Sequence, residues 1–207
     1  MSRYLSWTEF YKAIKSGDVA TVKRGLFILG PRVYTTRLSE HDTALIVAAA
    51  NGQVKIAEIL LKSAISSPHF GGIYDIIKSA TDAAVRGGHL AAVQLLLRTE
   101  HGKHQTTNPC QMRRLVIEAI LHDQFSMVEH FIRKYHAVSW YDYQVTDAIF
   151  QSGFNIKVLA DDVASVFEEC ISALRMKWGF LFDRDRLDEH IMHDSNWRRS
   201  VFVESDG

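Results

Sequence analysis

Few side chains in this 207-residue sequence stand at spacings that could do chemistry. His190 and His193 are three residues apart with Glu189 and Asp194 beside them, so on a helix both imidazoles would face one way. A transition-metal centre there would need a third ligand from elsewhere, and a solvated polar face accounts for the same residues without one. His101 and His104 fall in a Gly- and Thr-containing stretch that reads as a loop. Cys110 is followed by Gln-Met-Arg-Arg, with no evident base to activate it, and reads as an incidental thiol. There is no Gly-rich phosphate loop, no G-x-S-x-G, no H-E-x-x-H and no C-x-x-C. No metal and no cofactor are expected on these grounds. Any catalysis would depend on polar groups that the fold alone assembles.

Composition narrows the classes further. Apolar residues make up 47% and charged residues 23%, a globular balance that excludes a disordered tail. Twenty-four Lys and Arg offset twenty-four Asp and Glu, which argues against a general nucleic-acid binder. The longest near-unbroken apolar stretch, Ala44 to Ala50, is far shorter than the ~20 residues that cross a bilayer, so no membrane partner is expected. The opening MSRYLSWTEFYKAIKSG has no apolar core of the kind a signal peptide carries. With only Cys110 and Cys170, both read as reduced thiols, the expectation is a cytoplasmic or nuclear protein, not a secreted one. Three prolines and twelve glycines in a helix-friendly composition point to an all-α chain.

The elements that would position any site are set by a repeat. Gly17, Gly52, Gly88 and Asp123 are 35, 36 and 35 residues apart, and an alanine (Ala13, Ala48, Ala84, Ala119) lies four residues before each. Five residues after them come Val22, Ala57, Val93 and Val128. Bulky apolar residues follow: Leu26 and Phe27, Leu60 and Leu61, Leu96 and Leu97, Phe131 and Ile132. A poorer fifth repeat has Ala148, Gly153 and Val158. Each repeat reads as a short helix with a small residue at a close approach, a turn needing positive φ, and a second helix with apolar residues at i, i+3 and i+4. One pair cannot bury its apolar side alone, so such pairs stack.

The segment Thr43-Ala-Leu-Ile-Val-Ala-Ala-Ala-Asn-Gly52 resembles the ankyrin-repeat pattern T-P-L-H-x-A-A-x-x-G, and Gly88-His-Leu-Ala-Ala-Val-Gln-Leu-Leu-Leu97 resembles its G-H-x-x-x-V-x-L-L-L half. The resemblance runs over residues 6 to about 135. It departs from the pattern where Ala44 replaces the helix-starting proline, and where Tyr11, Ile46, Asp82 and Ile117 replace the histidine. What it implies is an all-α, ankyrin-like solenoid of stacked helix pairs over residues 1–159, with a C-terminal helical cap and tail over 160–207. The connectors, residues 63–79 and 98–112, would be the places where the family projects hairpin fingers. In the cap, Val163, Val166, Phe167, Cys170, Ile171 and Leu174 fall on one helical face behind a capping Asp161-Asp162. Residues 1–159 hold eighteen Lys and Arg against thirteen Asp and Glu, while 160–207 hold six against eleven.

The resemblance also places a projecting face. Its residues would be Tyr4, Trp7, Lys15 and Ser16; Glu40, Asp42 and Asn51; Asp75, Lys78 and Arg86; Gln111, Arg113 and His122; and Trp140, Tyr141, Tyr143 and Gln151. Aromatic rings at such positions are the type enriched at binding hot spots, although Trp140 and Tyr143 could equally fill the junction where the repeat period breaks; Arg86, Arg113 and Lys78 would supply central positive charge. The expectation is a non-enzymatic module, monomeric on its own, that binds an acidic protein partner in a groove. The alternative is an acid–base isomerase or cyclase using Asp82, His122 and Tyr143, with Arg113 beside them, in a groove turned into a pocket.

Overall fold

The computed structural model describes residues 5–30, 33, 43–65, 72–137 and 143–178. These contain eleven α-helices and one 3₁₀ turn, with no strand among the described residues. The helices are α1 (Trp7–Ser16), α2 (Val19–Leu29), α3 (Ala44–Ala50), α4 (Val54–Ile65), α5 (Ile73–Arg86), α6 (Leu90–Leu97), α7 (Glu100–Thr107), α8 (Pro109–Leu121), α9 (Phe125–Tyr135), α10 (Tyr143–Ser152) and α11 (Asp161–Trp178). The chain forms two compact units, Met1–Glu118 and Ala119–Gly207.

The expected turn recurs at all five places. Gly17, Gly52, Gly88, Asp123 and Gly153 have φ between +54° and +80°. Each time, the next residue's N–H donates to the carbonyl four residues before the turn residue: Asp18 to Ala13, Gln53 to Ala48, His89 to Ala84, Gln124 to Ala119 and Phe154 to Ile149. Asp123 occupies a left-handed conformation that a short polar side chain tolerates at modest cost. In the fifth repeat Ile149, not Ala148, stands where the others have alanine.

In the first unit, inner helices α3 and α5 make the most extensive pairing. Ala44, Ala48, Ala49, Ala80, Ala83 and Ala84 are all buried, and side chains this small let two backbones approach. Leu60 and Leu96, at equivalent places on the outer helices α4 and α6, are fully buried. The first repeat fills the same place differently. Gly25 stands there, and a Cβ on it would collide with the ring of Phe10, the large side chain that α1 sends into the gap. Phe27, expected among the core residues, is 91% exposed.

The connectors are also shorter than expected. Residues 73–79 belong to α5, and 100–107 form α7 in place of a projecting finger. Thr99 caps α7 by accepting from the Gly102 N–H at 2.9 Å. Gly102 lies so close to the end of α6 that a Cβ would strike the Leu96 carbonyl. His101 and His104 therefore sit on a helix, with His104 edge-on to Tyr74 at 6.4 Å, and not on a loop.

In the second unit, Val128 and Phe131 of α9 are fully buried, as the repeat requires. The fifth repeat breaks off: its second helix is reduced to the 3₁₀ turn Ile156–Val158, and Val158 is 59% exposed where Val22, Ala57, Val93 and Val128 are buried. α11 packs on α9, α10 and this turn, burying Val163, Phe167, Cys170 and Ile171. Asp161 and Asp162 lie in its first turn. The start of α11 is held from α9: Arg133 grips Asp162 through two hydrogen bonds of 2.8 and 2.7 Å, and Glu129 accepts from the Ala160 N–H at 2.9 Å. The Arg133 hydrogen bonds hold the Asp162 carboxyl below its ordinary range. The side chain of Leu174 and residues 179–207, including Glu189, His190, His193 and Asp194, lie outside the described residues.

One titratable group is poorly placed for charge. His130 of α9 has a buried Nε2 with no hydrogen-bond partner, and its ring lies against Phe131 and Tyr135. Burial, with Lys134 adding to it, pushes its pKa below the usual 6.5. At the same repeat position stand Ile59 and Leu95.

Two outcomes are expected from this packing. Leu96→Ala removes a side chain buried on all sides and should lower stability by about 2–5 kcal/mol in urea unfolding. Lys62→Ala, on the exposed side of α4, should change it by no more than about 0.5 kcal/mol. A depressed His130 pKa means that, below the ordinary imidazole value of 6.5, the unfolded chain binds the proton that the folded chain refuses. Stability is then full above that value and falls as pH drops toward the folded pKa. His130→Leu should flatten the dependence of melting temperature on pH across this window, measured by thermal unfolding at a series of pH values.

Candidate functional site

The projecting positions in the first unit are brought into line by a hydrogen bond that repeats from one helix pair to the next. The residues after Gly52 and Gly88 reach back to the preceding repeat. Gln53 Nε2 donates to the Lys15 carbonyl at 3.1 Å, and His89 Nε2 lies 3.1 Å from the Ala50 carbonyl, to which its Nε2–H tautomer donates. Lys15, Ala50 and Arg86 each stand two residues before the turn glycine in their repeats. These stitches therefore set the C-terminal ends of successive inner helices side by side. Along this edge Lys15, Ser16, Ala50 and Arg86 are exposed and Asn51 is half-buried. The backbone beneath is tied down: Ser16 donates to the Ala13 carbonyl and Asn51 Nδ2 to the Val47 carbonyl. The Lys15 ammonium lies over the Tyr11 ring, 4.8 Å from its centroid.

At the third repeat the edge becomes a charged stripe. Asp75, Lys78, Asp82 and Arg86 follow one another at spacings of three, four and four residues, which puts alternating charges along one side of α5. Facing them on α8 are Gln111, Arg114 and Glu118, spaced three and four apart. Arg114 Nη1 meets Asp82 Oδ2 at 2.6 Å, and Arg86 Nη1 meets Glu118 Oε1 at 2.8 Å. Arg114 Nε also donates to Gln111 Oε1 at 3.3 Å. The pairing is deepest at Asp82, whose side chain is 15% exposed, and opens toward Arg86 at 48%. Behind the stripe, fully buried Gln105 of α7 donates to the Thr81 hydroxyl at 3.4 Å, and Thr81 donates to the Ile77 carbonyl.

Several expected site residues acquire a different setting in this arrangement. Arg86 was expected to present charge outward, yet part of its charge is already met by Glu118. Asp82, the candidate acid, is bound to Arg114. Asp75 is exposed and Lys78 half-buried, both on a helix where a connector was expected. Gln111 and Arg113 are half-buried on α8, and Trp7 is half-buried with its ring edge-on to Phe10 at 6.2 Å. In the second unit His122 is exposed, and Gln151 is exposed and bonded to Asp147. Tyr143 begins α10 but its side chain is not described; Tyr4, Glu40, Asp42, Trp140 and Tyr141 lie outside the described residues. Among the described residues no group of three or more His, Cys, Asp or Glu could hold a metal ion, and no helix is long and apolar enough to cross a membrane.

Sequence reasoning passed over Gln53, His89, Arg114 and Glu118. A signal for the last two was present: Asp82 and Arg86 on α5, Arg114 and Glu118 on α8, form the same i, i+4 spacing with the charges reversed.

Because the Asp82–Arg114 pair is the more enclosed, the two ion pairs should differ in strength. A double-mutant cycle through Asp82→Asn and Arg114→Gln should give a coupling of about 1–3 kcal/mol. The Arg86–Glu118 cycle should give less than about 1 kcal/mol, shrinking further in added salt. Equal couplings would contradict the burial difference.

Residues 10–109 match the family model described as ankyrin repeats, in three copies. No curated protein and no solved structure matches the chain significantly.

Proposed function

We propose that the ankyrin-repeat region in the N-terminal part of this chain is a non-enzymatic protein-interaction module, holding an acidic partner segment along the edge that carries Lys15, Asn51 and Arg86. The observation that carries this reading is the stitched edge itself. Three successive repeats present side chains there at a spacing held by the hydrogen bonds that Gln53 and His89 make to the preceding repeat's backbone, so binding costs little further ordering. The ankyrin scaffold is typically used for protein binding, but a fold shared by many functions does not choose the partner, so the surface must.

Charge argues for an acidic partner. The first unit holds fifteen Lys and Arg against nine Asp and Glu. Arg86 is engaged by Glu118, but a pair this exposed is worth only about 0–1 kcal/mol, so a partner carboxylate can compete for the guanidinium at small cost. Arginine offers such a carboxylate a two-pronged hydrogen bond, and Lys15 adds a second, more mobile cation. Asp82–Arg114, being enclosed, stays intact and keeps α5 and α8 in place beneath the contact.

The test begins with affinity capture from a native extract, followed by binding kinetics with the recovered partner. The double variant Lys15→Glu/Arg86→Glu should bind about tenfold or more weakly, mainly through slower association, and with a weaker dependence on salt. Its melting temperature should fall only slightly, since both side chains are exposed and the Arg86–Glu118 pair that is lost is worth about 0–1 kcal/mol. Recovery of the same partner with unchanged affinity would remove this edge from the binding surface.

A further inference from the structure

The glycine that the second turn requires also creates a pair of residues that can react with each other. Gly52 has φ +64°, and a Cβ on it would lie 2.7 Å from His89 Nδ1, so any other residue there is strained. Asn51 stands immediately before it. Of the chain's four asparagines, Asn51, Asn108, Asn155 and Asn196, only this one is followed by glycine. In such a pair no side chain hinders the glycine amide nitrogen as it approaches the asparagine carboxamide. The nitrogen attacks Cγ; the N–Cγ bond forms, the Cγ–Nδ2 bond breaks, and ammonia leaves with the proton that the glycine amide gives up. Water then opens the five-membered succinimide at one carbonyl or the other, leaving aspartate or isoaspartate. No oxidant or reductant is needed.

The folded turn opposes the first step. With ψ of Asn51 at +11°, the Gly52 nitrogen nearly eclipses Asn51's own backbone nitrogen. The tetrahedral Cα then places Cβ about 120° away around the Cα–C bond, whereas ring closure needs Cβ and the Gly52 nitrogen on the same side. The leaving group is held as well, since Asn51 Nδ2 donates to the Val47 carbonyl at 2.8 Å. The attacking N–H donates to the Ala49 carbonyl at 3.1 Å, and the Gln53 N–H to Ala48 at 2.9 Å. From the next repeat, the His89 ring lies over Gly52 and bonds to the Ala50 carbonyl. We infer that Asn51 is a deamidation site gated by this turn: the fold suppresses succinimide formation, and opening of the turn releases it. The chemistry belongs to the turn and does not depend on the neighbouring edge binding a partner. The product carboxylate loses the amide donor to Val47 and stands at the C-terminal end of α3, where the helix dipole disfavours negative charge. Isoaspartate also inserts a methylene into the backbone of the turn. Modification therefore makes the turn harder to close again.

Peptide mapping by mass spectrometry tests this, following the gain of one mass unit at residue 51 while the full chain is held at neutral pH. The native protein should deamidate there at least about tenfold more slowly than the same chain unfolded in urea. His89→Ala removes the ring over Gly52 and the hydrogen bond to Ala50. It should speed the reaction about threefold or more without denaturant, through more frequent opening of the turn. If that variant does not fold, the comparison of native with unfolded wild type still decides. Asn51→Asp, which mimics one product, should lower the melting temperature by a few degrees. Equal rates in the native and unfolded chain, or a folded His89→Ala variant reacting at the wild-type rate, would overturn the gate. An unfolded chain that gains no mass at residue 51 would overturn the site itself. An Asn51→Asp variant melting with the wild type would overturn the effect on the turn.

Discussion

The first unit depends on close approach between inner helices, and alanine makes that approach possible in two ways at once. Ala48 and Ala84 are fully buried, and side chains this small let the backbones of α3 and α5 approach. The carbonyls of the same residues accept the N–H that closes the left-handed turn. One residue type thus satisfies a packing limit and an otherwise unpaired backbone acceptor at a helix end. With the inner helices this near, the residue after the turn can reach the previous repeat, as Gln53 and His89 do. The stitched edge is a consequence of the alanines beneath it.

Electrostatics adds register without adding much bulk stability. Exposed pairs contribute little, and the enclosed Asp82–Arg114 pair offsets a desolvation cost before it contributes anything. Its alternating partners are more effective at excluding wrong alignments, since a slip by one helical turn would set Asp82 toward Glu118 or Arg86 toward Arg114. In the second unit the same chemistry serves to anchor a helix end. There Arg133 and Glu129 hold the N-terminal turn of α11, the helix that covers the apolar sides of α9 and α10.

Departures from the repeat are as informative as its agreement. Gly25 for a leucine, with Phe10 filling the gap, keeps the volume of the core while moving its source to another helix. An inserted α7 fits only because Gly102 lets it lie against the end of α6, and its buried Gln105 finds the Thr81 hydroxyl. Where the fifth repeat ends in a 3₁₀ turn, Val158 loses the neighbours that its counterparts have. Each exchange is local, and each changes what the surface offers to another molecule.

Periodicity, the turn positions and the buried rows were legible in the amino-acid sequence. They arise from short-range rules: left-handed φ favours glycine or aspartate, helix faces recur every three to four residues, and alanine marks a close approach. The same rules located the apolar face of α11 from Val163 to Ile171. What they could not reach was any feature decided between repeats. That Phe27 projects while Phe10 turns inward depends on which helix presents a side chain to the gap beside Gly25. That residues 100–107 form a helix instead of a loop depends on the surface of α5 and α6 offered to them. The pairing of Arg86 with Glu118 depends on a relative placement of two helices that neither helix encodes alone. Spacing along the chain specifies which side chains share a face; only tertiary packing decides what that face meets.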